Sequence, residues 1–187
     1  MGKGAPLRWL ENRCLRRYLH GRGIEIGALW RRFPVPRRAR VWYVDSLMKE
    51  ELESRYQSQY KTLVGPDLVA DAARLPAARG SLNFIIASHV LEHLPFPLAA
   101  LRAWYEALAP GGVLLLKVPD KRFTFDVRRA RTPLAHLVEE YEHPERFDRR
   151  CHYVDWVENV QGEKPDDPKF EQAVRGLMEM NYSIHFH

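Results

Sequence analysis

The segment ASHVLEHLPF (Ala87–Phe96) holds His89, Glu92 and His93 in the spacing H-x-x-E-H. Two imidazoles and a carboxylate so spaced share one face of a helix, and together they spell an inverted zinc-hydrolase motif. Zinc chemistry of that kind also needs a long supporting helix, a third protein ligand and groups that orient the ligands. Here the strand-like run NFIIAS leads straight into the motif, and Pro95 and Pro97 leave barely two turns beyond it. His136, His143, Cys151, His152, His185 and His187 lie farther along without tight metal spacing, and HFH at the end is an i, i+2 pair that would share one strand face. The expectation is therefore no metal. Glu92 and His93 take structural duties at the ends of a short helix. His89 is the residue best suited to general-base work, because an imidazole titrates near neutral pH.

A second set of chemical groups closes a series of short apolar runs: GIEIGAL (23–29), RVWYVD (40–45), DLVAD (67–71), LNFIIAS (82–88) and GVLLLKVP (112–119). Their near-continuous apolar character, without strict alternation, predicts strands covered on both faces, hence a parallel sheet. SLMKEELESRYQSQY predicts a helix with Ser46 as N-cap, and PLAALRAWYEAL predicts another, stopped by PGG at 110–112. Strand–helix alternation with right-handed crossovers gives a doubly wound α/β sheet, Rossmann-like, with helices on both faces. In such a sheet ligands bind outside the carboxyl ends of the strands. Glu25, Gly27, Asp45, Asp71, Ser88, His89 and Asp120 all fall at such ends.

Around this core, PLRWLENRCLRRYLHGRG predicts a basic amphipathic helix over 1–21. The core spans 22–120, and 121–187 reads as a mainly helical substrate or lid region, one domain overall. TPLAHLVEEY predicts a helix with Thr132 as cap and Pro133 at its first position, HYVDWVENV a short helix, and FEQAVRGLMEM a further one. YSIHFH predicts the start of a strand.

Of 187 residues, 45% are hydrophobic and 28% charged, an ordinary globular balance. No apolar run reaches the roughly 18 to 20 residues of a membrane span. Cys14 and Cys151 form no disulfide framework, so the expected setting is reducing and cytoplasmic. The net charge of +5 is uneven: residues 1–40 carry eleven Lys and Arg against Glu11 and Glu25. A transit peptide has that charge, but no serine precedes Ser46 and the segment runs into a core-like strand. A solvated helix face or a basic face toward an anionic partner fits better.

The residues in this order resemble the class I S-adenosylmethionine-dependent methyltransferases, type 11 branch. GIEIGA matches the first strand and turn, and YVD the ribose-binding acid. VADAARLPAARGSLNFIIASHVLEHL matches the third and fourth strands, and LRAWYEALAPGGVLLLKVPD the helix and fifth strand. The resemblance covers roughly residues 20 to 120. It implies S-adenosylmethionine as cofactor and S-adenosylhomocysteine as product. Glu25 and Gly27 would flank the methionine moiety, Asp45 would hold the ribose, and Asp71 with Ala72 would meet the adenine. Ser88 and His89 would lie beside the sulfonium. For each acid the competing reading is a helix cap or a solvated turn.

Two departures stand out. The family's glycine-rich turn leads into a helix; here Gly27 is followed by ALWRRFPVPRRAR, whose Pro34 and Pro36 forbid a long helix. Arg31 or Arg32 could then take the cofactor carboxylate. The family's sixth and seventh strands are also missing or incomplete, which would fit a chain truncated at its C-terminus. The expected reaction is methyl transfer to an oxygen or nitrogen of a small or glycan-like acceptor, with Asp120, Lys121 and Arg122 as substrate residues and nucleic acid not favoured. The alternative is a degenerate module that keeps the fold and binds without catalysis. A nicotinamide enzyme is disfavoured by the missing G-x-G-x-x-G.

Overall fold

The computed structural model describes Arg13 and residues 15–187. Most of the N-terminal helix expected over 1–21 lies outside the described residues; Arg13 and residues 15–18 are helical. The chain forms two compact units. One contains the residues up to Ser88 with Ala100–Lys117, the other His89–Ala99 with Val118–His187.

The first unit is a five-stranded sheet in which every neighbouring pair is parallel. Its strands are β1 (Gly21–Ile26), β2 (Ala39–Asp45), β3 (Leu68–Val69), β4 (Leu82–Ser88) and β5 (Leu108–Lys117), in the order β3-β2-β1-β4-β5. The order reverses direction between β1 and β4, the switch point of a doubly wound sheet. Those two central strands are the apolar heart of the unit: Ile24, Ile26, Phe84, Ile85, Ile86 and Ala87 are buried. On one face Phe84 and Ile86 pack with Leu15 and Leu19, and Phe33, Val35, Ala39, Val41 and Leu115 close around them. At Gly23 a side chain is excluded, because a Cβ there would stand 2.3 Å from the Phe84 ring.

Helix α1 (Lys49–Tyr56) follows β2, and α2 (Pro97–Ala107) precedes β5. The sequence places the start of α1 at Ser46, but the structure caps it at Met48, whose amide donates to Glu51 Oε2 at 2.9 Å. The cause is local: Asp45 accepts the Leu47 amide at 3.2 Å, and this turn holds Ser46 outside the helix. At the other end, α2 stops at Ala107, one residue short of the expected end and ahead of the PGG turn assigned to stop it. However, β5 then begins at Leu108, upstream of the glycines, with an irregularity that pairs Leu82 with Leu108 but Phe84 with Val113.

The second unit is helical. It contains α3 (Leu134–Glu142), α4 (Arg149–Trp156) and α5 (Phe170–Glu179), with short 3-10 turns at Leu91–His93, Lys121–Phe123, Phe125–Arg128 and Pro144–Arg146. Pro133, with extended ψ of 145°, is the N-cap of α3 rather than its first helical residue, so the helix starts one position later than its sequence predicts. The α4 chain continues through a π-helical turn, Val157–Gln161, and Gly162 ends it in a left-handed conformation. Tyr153, Trp156, Val157, Phe170, Val174 and Leu177 make a core that also takes in Ile184 and Phe186. The final segment therefore does not form the strand its composition suggests. Ile184 and Phe186 keep a period-two alternation, but helices receive them and no neighbouring strand supplies a ladder.

Candidate functional site

Parallel pairing aligns the strand ends of the first unit. Ile26 is level with Val44 on β2 and with Ala87 on β4, so the next residues, Gly27, Asp45 and Ser88, fall in one row across three strands. The Gly27 amide donates to the Val44 carbonyl at 2.9 Å, extending the ladder one step past β1. Gly27 has φ of 65°, a left-handed conformation in which a Cβ would crowd the carbonyl. Asp71 lies two residues beyond β3, whose Val69 pairs with Asp45. Four of the sequence-predicted positions are thus brought to one end of one sheet.

Glu25 is the buried member of the group, 2% exposed. The twelve residues from Ala28 to Ala39 form no helix, as the two prolines require. Instead this connection folds back on β1, and the Phe33 amide donates to both Glu25 oxygens, at 2.9 and 3.0 Å. Burial pushes the Glu25 carboxyl up to about 7, against the opposing pull of the Phe33 bond and the Arg32 charge. Arg32 lies over the Tyr43 ring at 4.6 Å. Trp30 and Tyr60 stack at 5.6 Å, and the Val64 amide donates to the Leu29 carbonyl, tying the same connection to the segment after α1.

Asp45 and Asp71 both make the local turn contact that the sequence set against their ligand roles. Asp45 Oδ1 accepts the Leu47 amide, and Asp71 Oδ1 accepts the Ala73 amide at 2.6 Å. Burial raises the Asp45 carboxyl above its usual range, opposed by hydrogen bonds from Leu47 and Ser46. Such a turn engages one carboxylate oxygen and fixes the direction of the other. Ala72 is buried, and its carbonyl accepts the indole N–H of Trp104 at 2.7 Å, which anchors the segment after β3 to α2. Trp104 occupies an apolar position of the helix PLAALRAWYEAL, and nothing in its spacing announces this bond.

In the second unit, His89 takes φ of 57°, and its Nδ1 stands 3.3 Å from Glu92 Oε1 with the ring half exposed. Asp120 and Arg122 are exposed and consumed by each other: Arg122 donates from Nε and Nη2 to both Asp120 oxygens. That guanidinium and its backbone amide hold the Asp120 carboxyl down at about 2. Lys121 Nζ donates to the Arg129 carbonyl.

The second unit also buries Arg129, Asp126 and Glu140, which no sequence motif singles out. Arg129, 8% exposed, donates to Asp126 at 3.1 Å, to Asp155 at 2.6 Å and to the His185 and Phe186 carbonyls. Burial would raise the Asp126 carboxyl, but bonds from His185 and Arg129 outweigh it and hold it below its ordinary value. Glu140 is ringed by His136, His152 and His187 at 2.9, 2.8 and 3.4 Å. The only sequence signal was the HFH alternation, since the partners stand far apart along the chain.

A parallel sheet in this order, with acids at three successive strand ends, defines a nucleotide-cofactor type of α/β domain. A family model described as a methyltransferase domain matches residues 16–160. The chain belongs to that methyltransferase-domain family. No curated protein sequence matches it. Among solved structures it is similar to the trans-methyltransferase CalH in complex with SAH, at 20% identity and TM-score 0.40, covering 60% of this chain and 36% of that one. A SAM-dependent methyltransferase from Aquifex aeolicus gives 16% identity and TM-score 0.41, covering 60% and 62%. One from Thermotoga maritima gives 22% and 0.42, covering 63% and 60%. The chain thus spans less than two thirds of the length of each.

Proposed function

We propose that this chain is an S-adenosylmethionine-dependent methyltransferase whose cofactor is held at the strand-end row of the first unit. The observation that carries the reading is the alignment of Gly27, Asp45 and Ser88 across β2, β1 and β4, with the buried Glu25 two residues before Gly27. The donor set fits the group. In this reading Asp45 accepts the ribose hydroxyls, and Asp71 and Ala72 meet the adenine. Glu25, costly to ionise alone, gains from a nearby positive charge such as the methionine ammonium or sulfonium. Gly27 lets backbone approach closely where any side chain would intervene. When bound, the cofactor supplies an electrophilic methyl group on sulfur, so positioning of the acceptor supplies much of the acceleration.

The acceptor we infer is an oxygen or nitrogen of a small or glycan-like molecule, with His89 as the base that takes its proton. The Asp120–Arg122 pair argues for a narrower role for these residues than free anion recognition, since each already neutralises the other. A second reading, a binding module without catalysis, draws on the β1–β2 connection. That connection lacks a helix N-terminus after Gly27, and its Phe33 amide already occupies Glu25.

Calorimetric titration with S-adenosylmethionine and S-adenosylhomocysteine tests the cofactor. Saturable binding that Asp45→Asn weakens by about 1 to 3 kcal/mol is expected, the loss of a hydrogen-bonded charged partner. No heat at millimolar ligand would rule out the enzyme for this chain. Binding without transfer of labelled methyl to any acceptor in a panel would favour the binding module.

A further inference from the structure

The residues that opened the sequence reading acquire, in the second unit, the partner they lacked. His93 Nδ1 lies 3.0 Å from the Ile184 carbonyl, to which it donates, so its Nε2 carries the free lone pair. His185 Nδ1 lies 2.7 Å from Asp126 Oδ2, and the same logic leaves its Nε2 as an acceptor. Neither Nε2 has a hydrogen-bond partner among the described residues. The Glu92 side chain is 6% exposed; His89 Nδ1 stands 3.3 Å from its Oε1, but neither oxygen accepts a hydrogen bond. One ligand atom from each of Glu92, His93 and His185 lies within 4.8 Å of the others.

A buried carboxylate that accepts no hydrogen bond costs several kcal/mol unless a cation or a proton meets it. Two imidazoles whose outer nitrogens are pinned, one by a carbonyl and one by a carboxylate, present their inner nitrogens in a fixed tautomer. That is how proteins orient histidines toward a metal. Ligand atoms on arms of about 2.1 Å around a tetrahedral ion stand roughly 3.4 Å apart, so side-chain shifts of about an ångström close the set. We propose that Glu92, His93 and His185 form a site for a divalent first-row transition-metal ion, zinc by its donor set, with Asp126 as the residue that positions His185. Two histidines and one glutamate leave a coordination position open for water or another ligand.

The neighbouring cluster of His136, His152 and His187 is the competing location, also with ligand atoms within 4.8 Å of one another. There, however, the imidazoles converge on Glu140, and two of them bond its Oε1 at 2.9 and 2.8 Å. One oxygen of that carboxylate already has two hydrogen-bond donors, whereas Glu92 has only the half-exposed His89 imidazole, 3.3 Å from Oε1 and outside hydrogen-bond geometry.

The test is titration of chelator-treated full-length protein with Zn²⁺ against a chromophoric competitor, in the absence of any S-adenosyl ligand, so its outcome is independent of the methyltransferase reading. One equivalent should bind. Glu92→Gln and His185→Ala should each weaken it about 100-fold, Asp126→Asn about 10-fold or more, and His136→Ala should leave it unchanged. Co²⁺ added to the unaltered protein should give visible ligand-field bands at one equivalent, a readout that needs no variant to fold. Binding weaker than about 10 μM with no cobalt bands would overturn the proposal. So would binding that His136→Ala abolishes while Glu92→Gln and His185→Ala leave it intact.

Discussion

The Phe33 amide donates to both oxygens of Glu25, so a loop that lacks helical structure is pinned to the last turn of the central strand by one buried carboxylate. The bond closes an eight-residue span across a connection in which Pro34 and Pro36 leave no helix. Burial of the acid, which outweighs this bond, gives it a measurable pH signature.

Glu25 ionises at about 4.5 when unfolded but only at about 7 in the folded chain. Between those values unfolding releases a proton, so its contribution to stability is present below pH 4.5 and falls as pH rises to 7, then levels off. The full difference is about 3 kcal/mol. Glu25→Gln keeps an oxygen for the Phe33 amide and removes the ionisation. Urea unfolding from pH 4.5 to 8 should show the wild type losing stability relative to the variant, and parallel curves would contradict the raised carboxyl.

Gly27→Ala tests the left-handed residue in the strand-end row. With φ of 65°, alanine should cost about 1 to 2 kcal/mol in the urea midpoint. If the row holds the cofactor, S-adenosylhomocysteine affinity should fall as well, because the new Cβ stands where backbone must approach.

Trp104→Phe keeps a buried aromatic ring but leaves the Ala72 carbonyl without its 2.7 Å donor. An unpaired buried carbonyl predicts a loss of about 1 to 3 kcal/mol. Hydrogen exchange should locate added opening in the Asp71–Arg74 turn; an unchanged midpoint would mean that water replaces the indole.

Arg129→Met removes the cation that Asp126 and two backbone carbonyls share. Taking one partner from a buried pair predicts about 3 to 5 kcal/mol of destabilisation. Near-ultraviolet circular dichroism of Trp156, whose ring lies 5.7 Å from the Arg129 guanidinium, should change with it. Stability within about 1 kcal/mol of the wild type would show that the network is marginal.

Much of the first unit was legible because its signals are local. Apolar runs of strand length, each closed by turn chemistry, predicted five strands; each forms, with ends shifted by a few residues and the third shortened to Leu68–Val69. The absence of a helix after Gly27 follows from two prolines alone. The errors came where a side chain redirected the backbone: Asp45 holding Ser46 out of α1, and Pro133 starting α3 one residue late. The final segment misled for another reason. Its alternation is that of a strand, but alternation specifies only which side chains are buried, and the α4–α5 core buries them without a ladder.

The sequence by itself determined the sheet, its parallel sense and the acids at its strand ends, because strand periodicity and turn chemistry act over a few residues. It also placed His89, Glu92 and His93 within one short turn. Only the tertiary structure decided that Glu92 is buried with neither oxygen hydrogen-bonded and that His185, 92 positions after His93, stands beside that ring with Asp126 behind. No local rule couples residues so far apart; the packing of the helical unit brings them together.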